Sequence, residues 1–225
     1  LTPTLLDKAQ RIETDPFPHV VVEGALPEGY YERLVSTRPT PEQIMQWTGK
    51  ILGPNQRLDL PTKQALYRLP PIWVEFCRAH TSADFVQMAM RLLNAPLVQA
   101  TRIECQPGIN TPSPVLSKVR GPHLDNPKEI YAGLFYMASD SDGGDLEIYR
   151  WKSGEKKYHG KLEVYEECVE LVKTVPYKPN TCVFFLNGPN ALHGVTPRKS
   201  KNFRSLVNVI AETREPLFRV GHGPY

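Results

Sequence analysis

After Pro96 the chain carries six short runs rich in β-branched and aromatic residues, separated by turn residues and with no helical segment between them. They are Leu97 to Cys105, Glu129 to Ala138, Gly144 to Arg150, Val169 to Val175, Thr181 to Leu186 and Phe203 to Ala211. Several alternate apolar and polar residues with a period of two, the pattern of a strand with one face buried. Consecutive strands without intervening helices predict an antiparallel sandwich or double-stranded barrel. Between the first two runs lies GINTPSPVLSKVR, rich in Pro, Ser and Thr, which predicts a flexible loop over residues 106–121.

The first 96 residues read differently. The segment FPHVVVE, Phe17 to Glu23, predicts a leading strand bounded by Pro18 and Gly24. Pro27 opens a short amphipathic stretch, EGYYERLVST, that ends before Pro39. Pro61 to Leu69 and Pro71 to His80 each begin with proline at a first-turn position and carry apolar residues at helical spacing. Thr81 or Ser82 caps a further helix through Leu93, whose stripe of Phe85, Met88, Ala89 and Leu92 predicts packing on a sheet.

At 225 residues a single domain is the simplest organisation: a strand with supporting helices over 1–96, a β core over 97–211 and a tail over 212–225. The 27 basic and 24 acidic residues are interspersed, so no electrostatic footprint for nucleic acid stands out. The densest basic stretch, Arg150 to Lys161, contains Glu155 and is followed by Glu163, Glu166 and Glu167, which predicts a solvated loop. Cys77, Cys105, Cys168 and Cys182 form no C-x-x-C pair, and Cys105 and Cys182 fall inside apolar runs, which points to free thiols in a reducing compartment. With no long apolar run and no charged-then-apolar leader, the expectation is a cytoplasmic protein without a membrane span; its oligomeric state is left open.

Within the β-rich region, His123 and Asp125 are separated by one residue, and His193 closes an apolar strand and turn further on. Side chains at i and i+2 of an extended segment share a face, so the first two can converge on one ion, with the third ligand brought from a distant strand. Two histidines and one carboxylate are the set that holds Fe(II) on one face and leaves positions open for oxygen chemistry. Arg204 follows within the last strong strand; facing inward, its planar guanidinium suits a carboxylate.

These residues carry a resemblance to a known family. PHLDNP around the first pair, YAGLFYM as the next strand, GGDLEIY as the next hairpin, and HGVTPRKSKNFRSLVNVI from the distal histidine onward resemble the Fe(II)/2-oxoglutarate-dependent oxygenases, in particular the prolyl 4-hydroxylase-like branch. DPFPHVVVEGALPEGYYERL is similar to the segment that precedes such cores. The resemblance implies a double-stranded β-helix core, jelly-roll and cupin-like, with N-terminal helices. It makes His123, Asp125 and His193 the metal ligands and Arg204 the residue that holds the distal carboxylate of 2-oxoglutarate, assisted by Tyr136 or Tyr131. Many relatives carry Ser two residues after that arginine; here the position is Leu206, while Asn208 shares the arginine's strand face and is a further candidate. The implied reaction consumes 2-oxoglutarate and O2, releases succinate and CO2, and hydroxylates a C–H bond of a small molecule or of an amino-acid or peptide substrate. Halogenases of the same superfamily have a small residue where Asp125 stands, so a hydroxylase is favoured.

Arg102 and Arg120 are further candidates for the substrate pocket, by their nearness to the strand and loop that flank His123. His19, His80, His159 and His222 are expected to be structural or solvated. Gly143-Gly144 lacks a following Lys-Ser/Thr helix and predicts a tight turn, and Asp145 and Glu147 alternate on a strand. Loops 106–121 and 150–168 are possible lids over a rigid β core. The competing function is a cupin-like metal- or ligand-binding protein without oxidative activity, and Arg204 discriminates between the two.

Overall fold

The computed structural model describes residues 2–137, 143–154 and 156–220. Strand β1 (His19–Glu23) leads into helices α1 (Glu28–Ser36) and α2 (Pro41–Thr48), a short strand β2 (Arg57–Asp59), and helices α3 (Thr62–Arg68), α4 (Pro71–His80) and α5 (Ala83–Leu92). Strands β3 (Arg102–Asn110), β4 (Ser113–Ser117), β5 (Glu129–Tyr136), β6 (Leu146–Trp151), β7 (Val169–Val175), β8 (Thr181–Leu186), β9 (His193–Val195), β10 (Arg198–Ser200) and β11 (Arg204–Glu212) follow.

The strands pair antiparallel throughout. A six-stranded sheet has the order β1-β8-β5-β11-β3-β2; a three-stranded sheet has the order β7-β6-β9; β10 and β4 form a separate pair. The large sheet buries both faces. Its odd-numbered β5 residues Tyr131, Gly133 and Phe135 face the helices, where Phe135 packs with Phe76 and Tyr31. Ala132, Leu134 and Tyr136 face the other way, into a core shared with Leu146 and Ile148 of β6 and Val175 of β7. The two-residue period of β5 therefore supplies two cores at once, which is why its burial is nearly continuous.

The helices are set by local chemistry. Ser82 caps α5 by accepting the Phe85 N–H, as its position before the apolar stripe predicts. In α2, which sequence reading passes over, Thr40 and Gln43 close a reciprocal capping box, with Pro41 at the first helical position and Gly49 in the left-handed conformation at its end.

The segment 106–121 is not the open loop its composition predicts. β3 continues through Asn110 because it pairs with β11 along its whole length, and Ser113–Ser117 forms β4 against β10. Pro114 is tolerated in a two-stranded pair where half the backbone groups need no partner. Gly143 and Gly144 have φ of 80° and 88°, as a tight turn needs. Ala138, Glu155 and His222 lie outside the described residues. Among those described, no helix is long and apolar enough to cross a membrane, and all four cysteines are free thiols.

Candidate metal centre

His123 and Asp125 lie in an extended segment that is anchored rather than free. Leu124, between them, is fully buried beside Val164, Tyr149 and Leu192, so the residues on either side of it project together to the opposite face. The segment is held by backbone bonds from Val164 to the Pro122 carbonyl (2.9 Å) and from Leu124 to the Leu162 carbonyl (3.0 Å). His193 opens β9, and Leu192 before it is pinned in the same satellite core.

The three side chains each offer one ligand atom, and these atoms lie within 4.8 Å of one another. His193 Nε2 is 3.3 Å from Asp125 Oδ2, and His123 Nε2 is 3.7 Å from Asp125 Oδ1. The opposite ring nitrogens are engaged with the backbone: His123 Nδ1 donates to the Gly121 carbonyl at 2.7 Å, and His193 Nδ1 donates to the Ala191 carbonyl at 3.0 Å. A proton held on Nδ1 leaves the Nε2 lone pair directed at the shared point, the arrangement that orients metal-bound imidazoles. Burial, followed by the neighbouring His193, holds His123 well below the usual histidine range and so keeps it neutral. For Asp125 burial works in the opposite direction but is outweighed by His193, His123 and Arg120, which hold the carboxyl below the usual carboxylate range. The donor set is thus two neutral imidazoles and one carboxylate, and it suits a divalent first-row metal.

A cavity of about 510 Å³ opens beside these ligands, floored by Ala132, Leu134, Leu146 and Phe185. Asn208 reaches it while donating to Gln106 Oε1 at 3.2 Å. Arg120 stands at its wall, 3.6 Å from Asp125 and 3.0 Å from Glu163.

Arg204 is on the same strand face as Asn208, deeper in the layer between the sheets. Its guanidinium lies over the rings of Tyr136 (5.2 Å) and Tyr177 (4.7 Å) and donates to Asn110 Oδ1 at 2.9 Å. Among the described residues no carboxylate pairs with it. Among the described residues, three buried polar atoms around this point have no hydrogen-bond partner: Arg204 Nε, Tyr136 Oη and Asn110 Nδ2. Buried polar groups are rarely left so, and an anion with several acceptor atoms would satisfy all three. Asn110 and Tyr177 are not evident from sequence, because only the register of β3 on β11 sets Asn110 opposite Arg204.

The remaining predicted residues are dispersed. Tyr131 is not at the site: it faces the helices, with its ring 5.9 Å from Phe184, since it is one residue out of phase with Tyr136's face. Arg102 is also not at the cavity; it lies on the surface, paired with Glu104 and Glu212. Asp145 accepts the Tyr177 N–H and Glu147 accepts the Tyr149 hydroxyl, both structural roles. His80 and His19 are buried in the fold, and His159 meets the ring of Tyr165 edge-on.

No family model and no curated protein matches the chain. Solved structures do. A prolyl-4-hydroxylase from Pseudomonas putida is 14% identical with a TM-score of 0.52, covering 88% of this chain and 93% of its own. A prolyl hydroxylase from Trichoplax adhaerens, solved with a hypoxia-inducible-factor peptide fragment, is 11% identical with a TM-score of 0.56, covering 86% and 83%. The epimerase SnoN, in complex with Fe3+, alpha ketoglutarate and nogalamycin RO, is 11% identical with a TM-score of 0.54, covering 86% and 78%. At these identities the likeness establishes a shared fold, that of prolyl-4-hydroxylases and other iron- and 2-oxoglutarate-dependent enzymes; what each does is a property of its own site.

Proposed function

We propose that this chain is a non-haem Fe(II)/2-oxoglutarate-dependent oxygenase with a double-stranded β-helix core, hydroxylating a C–H bond of a small molecule or of an amino-acid or peptide substrate. The observation that carries the reading is the convergence of His123, Asp125 and His193 with both imidazole Nδ1 atoms committed to backbone carbonyls. The Fe3+ and alpha ketoglutarate bound by the epimerase SnoN accord with it. When bound, iron with 2-oxoglutarate would supply O2 activation, with decarboxylation of the co-substrate to succinate and CO2.

The chain's own residues would then divide the work. His123, Asp125 and His193 hold the ion on one face. Arg204, Tyr136 and Asn110 present donors, unpartnered among the described residues, that fit a distal carboxylate, and the packed aromatic rings fix the guanidinium in place and exclude water from it. Asp125 fills the third protein position, which favours hydroxylation over halogenation. The Arg204 cluster also favours an enzyme over a metal-binding protein of similar fold, since a simple binder has no need of a buried carboxylate site.

The test is succinate formation from 2-oxoglutarate in the presence of Fe(II) and O2, measured with and without metal across a panel of amino acids, peptides and metabolites. Metal-dependent succinate release, stimulated by one member of the panel, is the expected result. Failure to bind Fe(II) or 2-oxoglutarate at all would refute the proposal.

A further inference from the structure

Glu129 is turned into the cavity by a break in strand register. β5 and β11 pair in step as far as Tyr131 and Ala211, but the next pair is Glu129 with Glu212, so Ile130 has no partner on β11. Without this bulge Glu129 would share the face of Tyr131 and lie under the helices. With it, Glu129 lines the cavity that contains His123, Asp125 and His193. Bulges beside functional sites re-aim side chains in this way.

Every other Asp, Glu and Arg at the cavity wall is paired; burial, with Asp125 and Glu212 adding to it, raises the Glu129 carboxyl to about 9, so it is neutral until a cation approaches. Arg57 Nε donates to both oxygens of Asp59, at 3.1 and 3.0 Å. Arg120 is shared between Glu163 and Asp125. Glu212, across the strand from Glu129, is paired with Arg102. The Glu129 carboxyl accepts no hydrogen bond and joins no ion pair among the described residues. Beside it the floor is apolar, formed by Ala132, Leu134, Leu146 and Phe185. A lone carboxyl next to an apolar trough complements a ligand with a cationic nitrogen at the end of an aliphatic segment.

We infer that Glu129 selects the primary substrate, and that this substrate is a small aliphatic molecule or side chain bearing a protonated amine or guanidinium. The inference deepens the oxygenase reading and rests on it.

The test is calorimetric titration of n-hexylammonium, 1-hexanol and hexanoate, ligands of equal chain length, into protein loaded with Ni(II) and 2-oxoglutarate at neutral pH. The expected order is hexylammonium tightest, by about tenfold or more over hexanol, with hexanoate weakest. In Glu129→Gln the preference for hexylammonium over hexanol should disappear. Equal binding of hexylammonium and hexanol to the natural protein would overturn the inference, and so would a preference that survives in Glu129→Gln, as direct ligation of the amine to nickel would produce. Loading is measured first: a protein that takes up neither Ni(II) nor 2-oxoglutarate refutes the oxygenase reading, whereas a loaded protein with no ammonium preference refutes only the role of Glu129.

Discussion

His123 and His193 are cross-strand partners: the His123 N–H donates to the His193 carbonyl at 2.9 Å and the His193 N–H returns the bond to the His123 carbonyl at 3.1 Å. Two residues far apart in sequence are thereby fixed by backbone, and their rings sit 4.2 Å apart before any ion is added. The backbone placement of the two histidines does not depend on the side chains they carry. His123→Ala, Asp125→Ala and His193→Ala should therefore still fold in the absence of metal, the histidine variants with a modestly lowered Tm as the bonds to the Gly121 and Ala191 carbonyls are lost, while Fe(II) affinity falls by about a hundredfold or more and metal-dependent succinate release is lost. Metal titration followed by circular dichroism and calorimetry checks both halves; retained coupled turnover in any of the three would remove that residue from the ligand set.

The Arg204 cluster predicts a separation of metal from co-substrate. Arg204→Ala removes a charged hydrogen-bond donor, a loss of roughly 1.5 to 3 kcal/mol, and should weaken 2-oxoglutarate binding by about ten- to a hundredfold with Fe(II) binding nearly intact. The same variant should lose most of the rise in Tm that saturating 2-oxoglutarate gives the metal-loaded protein. Equal co-substrate affinity in the variant and the natural chain would show that the carboxylate is held elsewhere.

Sequence patterning reaches the long, self-consistent elements and stops at those created by pairing. β7, β8 and α4 are found at their residue limits, because alternation or helical spacing with a flanking proline is written within each segment. The capping box of α2 is equally local, and the Thr40 to Gln43 motif is a signal that could have located it. β2, β4, β9 and β10 are three to five residues long and have no period to read; they exist because a partner strand passes beside them. The same limit applies to the site. His123, Asp125, His193 and Arg204 are legible as residue types in order, whereas Asn110 and Glu129 are placed by register and by a bulge, which only the folded sheet defines.

Gly133 predicts a stability effect separable from the site. A Cβ built there would lie 2.4 Å from the ring of Phe184, its cross-strand partner, and that ring is enclosed by Phe85 and Tyr131. Gly133→Ala should destabilise by about 2 kcal/mol through overpacking, lowering Tm by roughly 4 to 8 °C. Because Gly133 faces the helices, metal affinity in the folded variant should be unchanged. A Tm equal to that of the natural chain would show that the ring has room to move.

His80 links stability to pH. It is fully buried, its Nδ1 donates to the Phe76 carbonyl at 2.8 Å, and its Nε2 accepts the Leu5 N–H at 3.0 Å. The ring is thus held as the neutral tautomer, because a proton on Nε2 would face another donor. Burial is the largest influence and lowers its pKa to about 4, against an unfolded value of 6.5; the Phe76 bond and Asp7 act weakly the other way. Between these values the unfolded chain binds the proton and the folded chain does not. Stability is therefore complete above pH 6.5 and declines as pH falls toward 4, by up to about 3 kcal/mol. Urea denaturation at intervals across that window should show the decline in the natural chain and a shallower slope in His80→Phe, which lowers stability at neutral pH by breaking both bonds but removes the titrating group. Parallel slopes would assign the acid sensitivity to the carboxylates instead.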